Sequence, residues 1–208
     1  MTNDPQTKPD KRDPEATRGR ILDAALDVFS SKGYHDSNVD EIVEHSSTSK
    51  GSVYFHFPNK QKLFLALVDK FANLLERRII EAIEKEDKGI QRVNAALVAC
   101  LSTFGKYHKL AKILLVQAVG LGTVFEEKRL EVNHRFTALI KTYLDQAVEV
   151  GDIPPIDTEV VAYAWMGAIY ETVIQWVYQG EPNPERILAT LRPMLLRSVG
   201  FIETAPKK

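Results

Sequence analysis

The sequence predicts an all-α protein of about nine helices, and three observations carry that prediction. Apolar residues recur at i, i+3, i+4 through most of the chain, while no run alternates with the period of two that a half-buried strand requires. The periodic runs are separated by helix punctuation such as Gly33, Gly151, Pro154-Pro155 and Asn183-Pro184. The 208 residues, 44% hydrophobic and 26% charged, suffice for one large or two small domains with a proper core.

A first helix is expected from Pro14, a favoured opening residue, with Ile21, Leu22, Ala25, Val28 and Phe29 as its apolar stripe and Gly33 as its stop. Val39, Ile42 and Val43 mark a short second helix, and Ser37 followed by Asp40 reads as its capping box. Residues 46–49 form a polar turn whose last member, Ser49, is a good N-cap. The third helix runs from Lys50 to about His56, roughly 10 Å at ~1.5 Å per residue, with Val53 and Phe57 turned inward. A fourth starts at Asn59-Lys60 and continues to about Glu86, burying Leu63, Phe64, Leu67, Phe71, Leu74 and Leu75.

Ile90, Val93, Leu97, Cys100, Leu101 and Phe104 define a fifth helix ending near Gly105, and a sixth runs from about Tyr107 to Val119. Gly120-Leu121-Gly122 breaks the chain, and Thr123 with Glu126 suggests a capping box for a seventh helix reaching about Val150. The eighth spans Asp157 to Tyr178. The ninth opens with Asn183 as cap and Pro184 at its first position, and Pro193 should kink it. The domain reading is a disordered arm over 1–13, a helix-turn-helix domain over 14–60 and a ligand-binding and dimerisation domain over 61–203.

Charge points to a partner. The net charge is −1, yet between Ser46 and Val68 there are three lysines and no acidic residue. A helix of about 10 Å fits a major groove about 12 Å wide. Lys50, Gly51, Ser52, Tyr54, Phe55 and His56 are left facing outward, a surface suited to base edges, thymine methyls and phosphates. Ser37 and Asn38 are placed to donate to phosphates at the start of the second helix. Lys8, Lys11 and Arg12 leave two readings open, a minor-groove arm and a solvated tail.

Residues 18–25 (RGRILDAA), Val28-Phe29, Gly33-Tyr34, Asp40-Glu41-Ile42, residues 49–57 (SKGSVYFHF), Asn59-Lys60 and Leu63-Phe64 resemble the N-terminal domain of the TetR family, with spacing intact over about 50 residues. The resemblance implies a dimeric, ligand-responsive transcriptional regulator, usually a repressor, in a bacterial cytoplasm. It implies DNA-facing places for Ser49, Lys50, Gly51, Ser52, Tyr54, Phe55 and His56 and an ammonium of Lys60 on a phosphate. It also implies a homodimer through the helices near 157–179 and 184–199. The turn departs from the family's Ala-Gly-Val, carrying Ser46-Ser47-Thr48 instead. Ser47 would bear about 1 kcal/mol if it takes a left-handed conformation, and Thr48 needs a hydrogen-bond partner.

Enzymatic constellations are missing from the sequence. The five histidines show no close metal-ligand spacing, and there is neither a phosphate loop nor a nucleophile elbow. No catalytic residue, metal or cofactor is expected. The single Cys100 excludes an internal disulfide framework and lies on an apolar stripe, as an inert buried thiol would. The stretch 160–180 holds one charged residue, Glu171, and with no second span it reads as a helix buried on nearly all sides rather than a membrane crossing. A small-molecule pocket is expected among the fourth to eighth helices. Its candidate lining is Cys100, Phe104, Tyr107, Leu114, Gln117, Phe136, Tyr143, Trp165, Met166, Ile169, Tyr170 and Glu171. Glu171 should meet a protein partner, an interface or the ligand.

The resulting expectation is a regulator released from a near-palindromic double-stranded operator by a largely apolar or aromatic effector. The rival is a helical ligand-binding or scaffolding dimer that no longer reads DNA.

Overall fold

A computed structural model of the chain describes residues 13–87, 89–118 and 120–201. Its elements are α1 (Pro14–Lys32), α2 (Val39–Ser46), α3 (Lys50–His56), α4 (Lys60–Ile83), α5 (Gly89–Lys106), α6 (His108–Lys112), a π-helical turn (Ile113–Gln117), α7 (Thr123–Glu149), α8 (Thr158–Gln179) and α9 (Pro184–Ser198). No strand occurs among the described residues. The chain divides into two compact units at Ala66/Leu67, inside α4. The arm expected over 1–13, with Lys8, Lys11 and Arg12, lies outside the described residues except for Asp13, which caps α1 through its carboxylate.

In the first unit α1 packs on α2 and α3. Ile21, Ala25 and Phe29 are fully buried from α1, Ile42 from α2, and Val53 and Phe57 close the core from α3. Phe29 meets Phe64 edge-on at 5.2 Å between ring centroids, and Tyr34 meets Phe64 in the same manner at 5.2 Å. Such crossed rings add to their area burial because the positive edge of one faces the negative face of the other.

The α2 cap differs from the capping box read in the sequence. Asn38 is the N-cap, its Oδ1 accepting from the Asp40 N–H at 3.0 Å. Ser37 instead donates its hydroxyl to the Gly33 carbonyl, which closes the α1–α2 connection. The α2–α3 turn tolerates its unusual residues. Ser47 adopts a left-handed backbone at φ 51°, ψ 39° without being glycine. The Thr48 hydroxyl finds its partner in Ser46 Oγ at 2.7 Å, so the polar atom is satisfied within the turn. Ser49 caps α3 as expected, accepting from the Ser52 N–H at 3.1 Å.

In the second unit α7 packs on α8 and α5, and α5 packs on α9. Gly89 permits the close approach of α5 to α7, since a Cβ there would lie 3.0 Å from the Ala147 Cα. The Asp152 carboxylate accepts from the Ile90 N–H at 2.9 Å and ties the same end of α5 to the turn after α7. Asn183 and Pro184 open α9 as expected, and the helix continues through Pro193.

Three elements depart from the sequence reading. α4 ends at Ile83 rather than near Glu86. The sixth helix is five α-helical residues and then the π-helical turn, whose extra residue per turn rotates the chain beyond it. Thr123 forms no capping box. Gly122 is the N-cap residue, and the Glu126 carboxylate instead accepts from the Gly120 N–H at 3.2 Å and pairs with Arg129 at 2.8 Å. Those two partners hold Glu126 below the usual carboxylate range, Arg129 contributing more.

Candidate nucleic-acid interface and apolar cavity

The outward surface of α3 is unlike ordinary solvated helix. Phe55 is 81% exposed and Tyr54 42% exposed on a helix of seven residues. A phenyl ring and a phenol held in water have no role in this unit's core, which Val53 and Phe57 already serve. Gly51 is exposed too, with only Ser49 Oγ, at 4.0 Å, near a would-be Cβ, and leaves the backbone of α3 open to close approach. Ser52 and His56 are half-buried beside them.

A groove runs along this surface. Pro14, Thr17 and Arg20 of α1 form one wall, Ser47, Thr48 and Ser49 of the turn form the other, and Ser52, Phe55 and His56 complete it. The α1 wall is absent from the sequence reading, in which α1 serves only as scaffold. Its signal is the i, i+3 spacing of Thr17 and Arg20, which stacks them on one face of the helix.

Several expected phosphate contacts are engaged within the unit. Lys60 donates to the carbonyls of Ser37 at 2.7 Å and His35 at 3.2 Å, with its ammonium 4.6 Å from the Tyr34 ring centroid. Burial lowers its pKa below the ordinary lysine value. Lys60 therefore staples the α1–α2 connection. Ser37 is only 5% exposed, with its hydroxyl committed to Gly33, so it is not available to a phosphate as expected. Asn38 is exposed, and its amide nitrogen remains free to donate while Oδ1 caps α2. Lys50 is exposed but pairs with Asp40 at 2.7 Å, a hydrogen bond that raises its pKa.

The second unit encloses an apolar cavity of about 80 Å³. Nine of the residues anticipated for a pocket line it: Cys100, Phe104, Leu114, Phe136, Tyr143, Trp165, Met166, Ile169 and Tyr170. Leu75, Ile79, Leu97, Val132 and Ile140 line it as well and are not anticipated, because aliphatic residues on a helical stripe read simply as core, and the polar Asn133 beside them is not anticipated either. Among the described residues no charged side chain lines it. Tyr170 donates its hydroxyl to the Leu115 carbonyl at 3.2 Å, a bond from α8 to the π-helical turn.

Three anticipated residues do not line the cavity. Gln117 lies at the end of the π-helical turn, whose wider winding carries it off the face of Leu114, and its Oε1 is buried without a hydrogen-bond partner among the described residues. Tyr107 stands before α6 with the Lys106 ammonium 5.6 Å from its ring centroid. Glu171 is exposed and accepts from Gln175 Nε2 at 2.7 Å, so within one chain it carries no burial cost.

Burial pushes the Cys100 thiol up to about 12 from 9.0. Reactivity follows the thiolate, so alkylation by iodoacetamide at pH 8 should run roughly a thousandfold slower in the native protein than after unfolding in urea. Mass spectrometry of timed samples reads this directly, and equal rates would mean the cavity wall is open to solvent.

Residues 21–67 match the family described as bacterial regulatory proteins, tetR family. The HTH-type transcriptional regulator YhgD of Bacillus subtilis is 26% identical over 82% of this chain and 90% of its own length. The fatty acid metabolism regulator protein of the same organism is 24% identical over 76% of this chain and 82% of its own. Among solved structures, the Bacillus subtilis transcriptional regulator FadR in complex with stearoyl-CoA superposes with a TM-score of 0.77 at 22% identity, covering 89% of this chain and 99% of that one. That likeness concerns the fold. Residues 21–67 carry the DNA-binding domain of the TetR family, and over most of its length the chain is similar to HTH-type transcriptional regulators.

Proposed function

We propose that this regulator is a homodimeric repressor that holds a near-palindromic operator through α3 and releases it when an apolar effector enters the cavity of the second unit. The observation that carries the DNA reading is the exposed Tyr54-Phe55 pair, with His56 half-buried next to it, beside a groove lined with hydroxyls. The rival, a dimer that no longer reads DNA, would find its ground in the unusual turn residues Ser47 and Thr48, and the turn accommodates both. The protein acts by binding, not catalysis.

Dimerisation through α8 and α9 is supported by a second apolar face. Ala162, Trp165, Ile169 and Val173 bury one side of α8, while Val160, Tyr163 and Tyr178 are 61%, 53% and 66% exposed on others. Met194 of α9 adds a further exposed apolar side chain. Apolar surface of this kind is costly to leave in water and marks an interaction site. A two-fold dimer would present two α3 helices one DNA turn apart, about 34–36 Å. No helix among the described residues is long and apolar enough to cross a membrane, and a cytoplasmic setting suits the proposed role.

The cavity chemistry selects the effector class. With no charged side chain among the described residues of the lining, the enclosed part of the ligand is neutral hydrocarbon or aromatic. The stearoyl-CoA bound by the structural relative supports a hydrocarbon chain. The present volume is below the 300–1,000 Å³ usual for ligand pockets, so binding must widen the cavity. We assign the widening to a population shift relayed along α4, which is continuous across the boundary of the two units. A tenfold release needs only ~1.4 kcal/mol of differential affinity.

The test is Tyr54→Ala, read on a duplex selected from random DNA with the wild-type protein. Operator affinity should fall about tenfold or more, ~1.4 kcal/mol, with the dimer mass unchanged. Unaltered affinity would remove α3 from the interface. Displacement by a series of 1-alkanols and by stearoyl-CoA then ranks neutral chains against chains with a charged head.

A further inference from the structure

Resting on the reading that the first unit binds duplex DNA, we propose that the groove between α1 and the α2–α3 turn holds one backbone phosphate of that duplex, with Arg20 as its cation. The inference rests on where the positive charges of the unit's described residues are placed, Lys62 being exposed near the start of α4 and outside the groove. Lys50 is paired with Asp40, and Lys32 with Glu41 at 2.8 Å. Lys60 is committed to two loop carbonyls. Arg18 lies over the Phe57 ring at 5.2 Å from its centroid. Arg20 alone of these cations lines the groove, and among the described residues no carboxylate pairs with it.

Among the described residues its side chain donates to a neutral group. The Nη2 atom donates to Thr17 Oγ1 at 3.2 Å, one turn earlier on α1. That bond orients the guanidinium while leaving its remaining N–H groups to donate. Opposite stand Ser47 and Ser49, both exposed, and the Ser49 hydroxyl keeps its proton available because its oxygen serves as acceptor for the α3 cap. A planar fork of donors sharing a groove with two hydroxyls suits the tetrahedral oxygens of a phosphodiester, for which arginine gives bidentate geometry that lysine does not.

The position also fits a positioning contact rather than base readout. Arg20 belongs to α1, outside the helix proposed to enter the groove, so it would touch the strand flanking the one α3 reads. Such a contact fixes register and orientation and carries no sequence information of its own. It would contribute to affinity on any duplex and make that affinity salt-dependent.

The experiment uses the full-length protein and the selected duplex. Arg20→Ala should weaken binding about tenfold and reduce the slope of log K against log salt by about one. Arg20→Lys should retain the slope and lose only part of the affinity. Because Arg20 is exposed, both variants should keep the wild-type melting curve and dimer mass. A duplex carrying a neutral methylphosphonate at the contacted position should cost the wild type that same factor and cost Arg20→Ala nothing further. Wild-type affinity and slope in Arg20→Ala would overturn this inference and leave the DNA reading standing. Absence of salt-dependent duplex binding by the wild type itself would overturn both.

Discussion

Phe64→Ala should abolish operator binding at 37 °C while the second unit goes on taking up an apolar probe. Phe64 is fully buried and stands at the centre of an aromatic cluster, edge-on to both Phe29 and Tyr34 at 5.2 Å. Removing a buried phenyl costs about 3–5 kcal/mol through lost transfer energy and the cavity left behind. A unit of some 50 described residues has a small core, so a loss of that size consumes most of its stability. The Lys60 staple depends on the same cluster, since its ammonium sits over the Tyr34 ring that packs against Phe64. Loss of the cluster should therefore loosen the α1–α2 connection as well. Far-ultraviolet circular dichroism should show a partial loss of helix, with N-phenyl-1-naphthylamine fluorescence in the second unit retained. Operator binding at the wild-type level would show that the cluster is not what orders α3.

The way the cluster and its neighbours arise explains what the sequence could reveal. The stripe Ile21, Leu22, Ala25, Val28, Phe29 is all buried, and the caps at Ser49 and Asn183 form as read, because both depend on local spacing alone. Lys60 is legible as a cation near the head of α4. Its actual partners are carbonyls 23 and 25 residues away, and no local pattern encodes such a distance. Ser37 and Thr123 illustrate a related limit. Each precedes an acidic residue at capping-box spacing, yet a tertiary hydrogen bond in one case and a glycine-led start in the other takes precedence. The cavity is partly legible. Aromatic and polar members of apolar helices draw attention, whereas Leu97 or Ile140 facing empty space looks identical in sequence to Leu97 or Ile140 facing a neighbour. The π-helical turn escapes altogether, since ILLVQ carries the periodicity of either winding over five residues.

Cys100→Phe should give a regulator that holds its operator and no longer responds to apolar ligands. Cys100 lines the cavity from α5, facing residues of α7 and α8, and its protonated thiol occupies little of the space available. A phenyl group there would fill much of the roughly 80 Å³ that the structure leaves open. Overpacking of this kind costs about 1–3 kcal/mol, which a unit with the large core of residues 67–201 can absorb. Effector affinity, measured with N-phenyl-1-naphthylamine or a 1-alkanol, should fall at least a hundredfold. Operator affinity without ligand should stay within a few-fold of wild type, since a ligand shifts the equilibrium only through its differential affinity for the two states. Should the variant fail to fold, Ala96→Met, on the same helix and the same wall, provides a milder filling with the same expected direction. Release of the duplex by an alkanol at wild-type concentration in a folded, cavity-filled variant would mean that the effector binds elsewhere. Loss of ligand binding together with loss of DNA binding would have a different meaning. The cavity would then be structural for the DNA-bound state, and an empty cavity, rather than a filled one, would be the condition for repression.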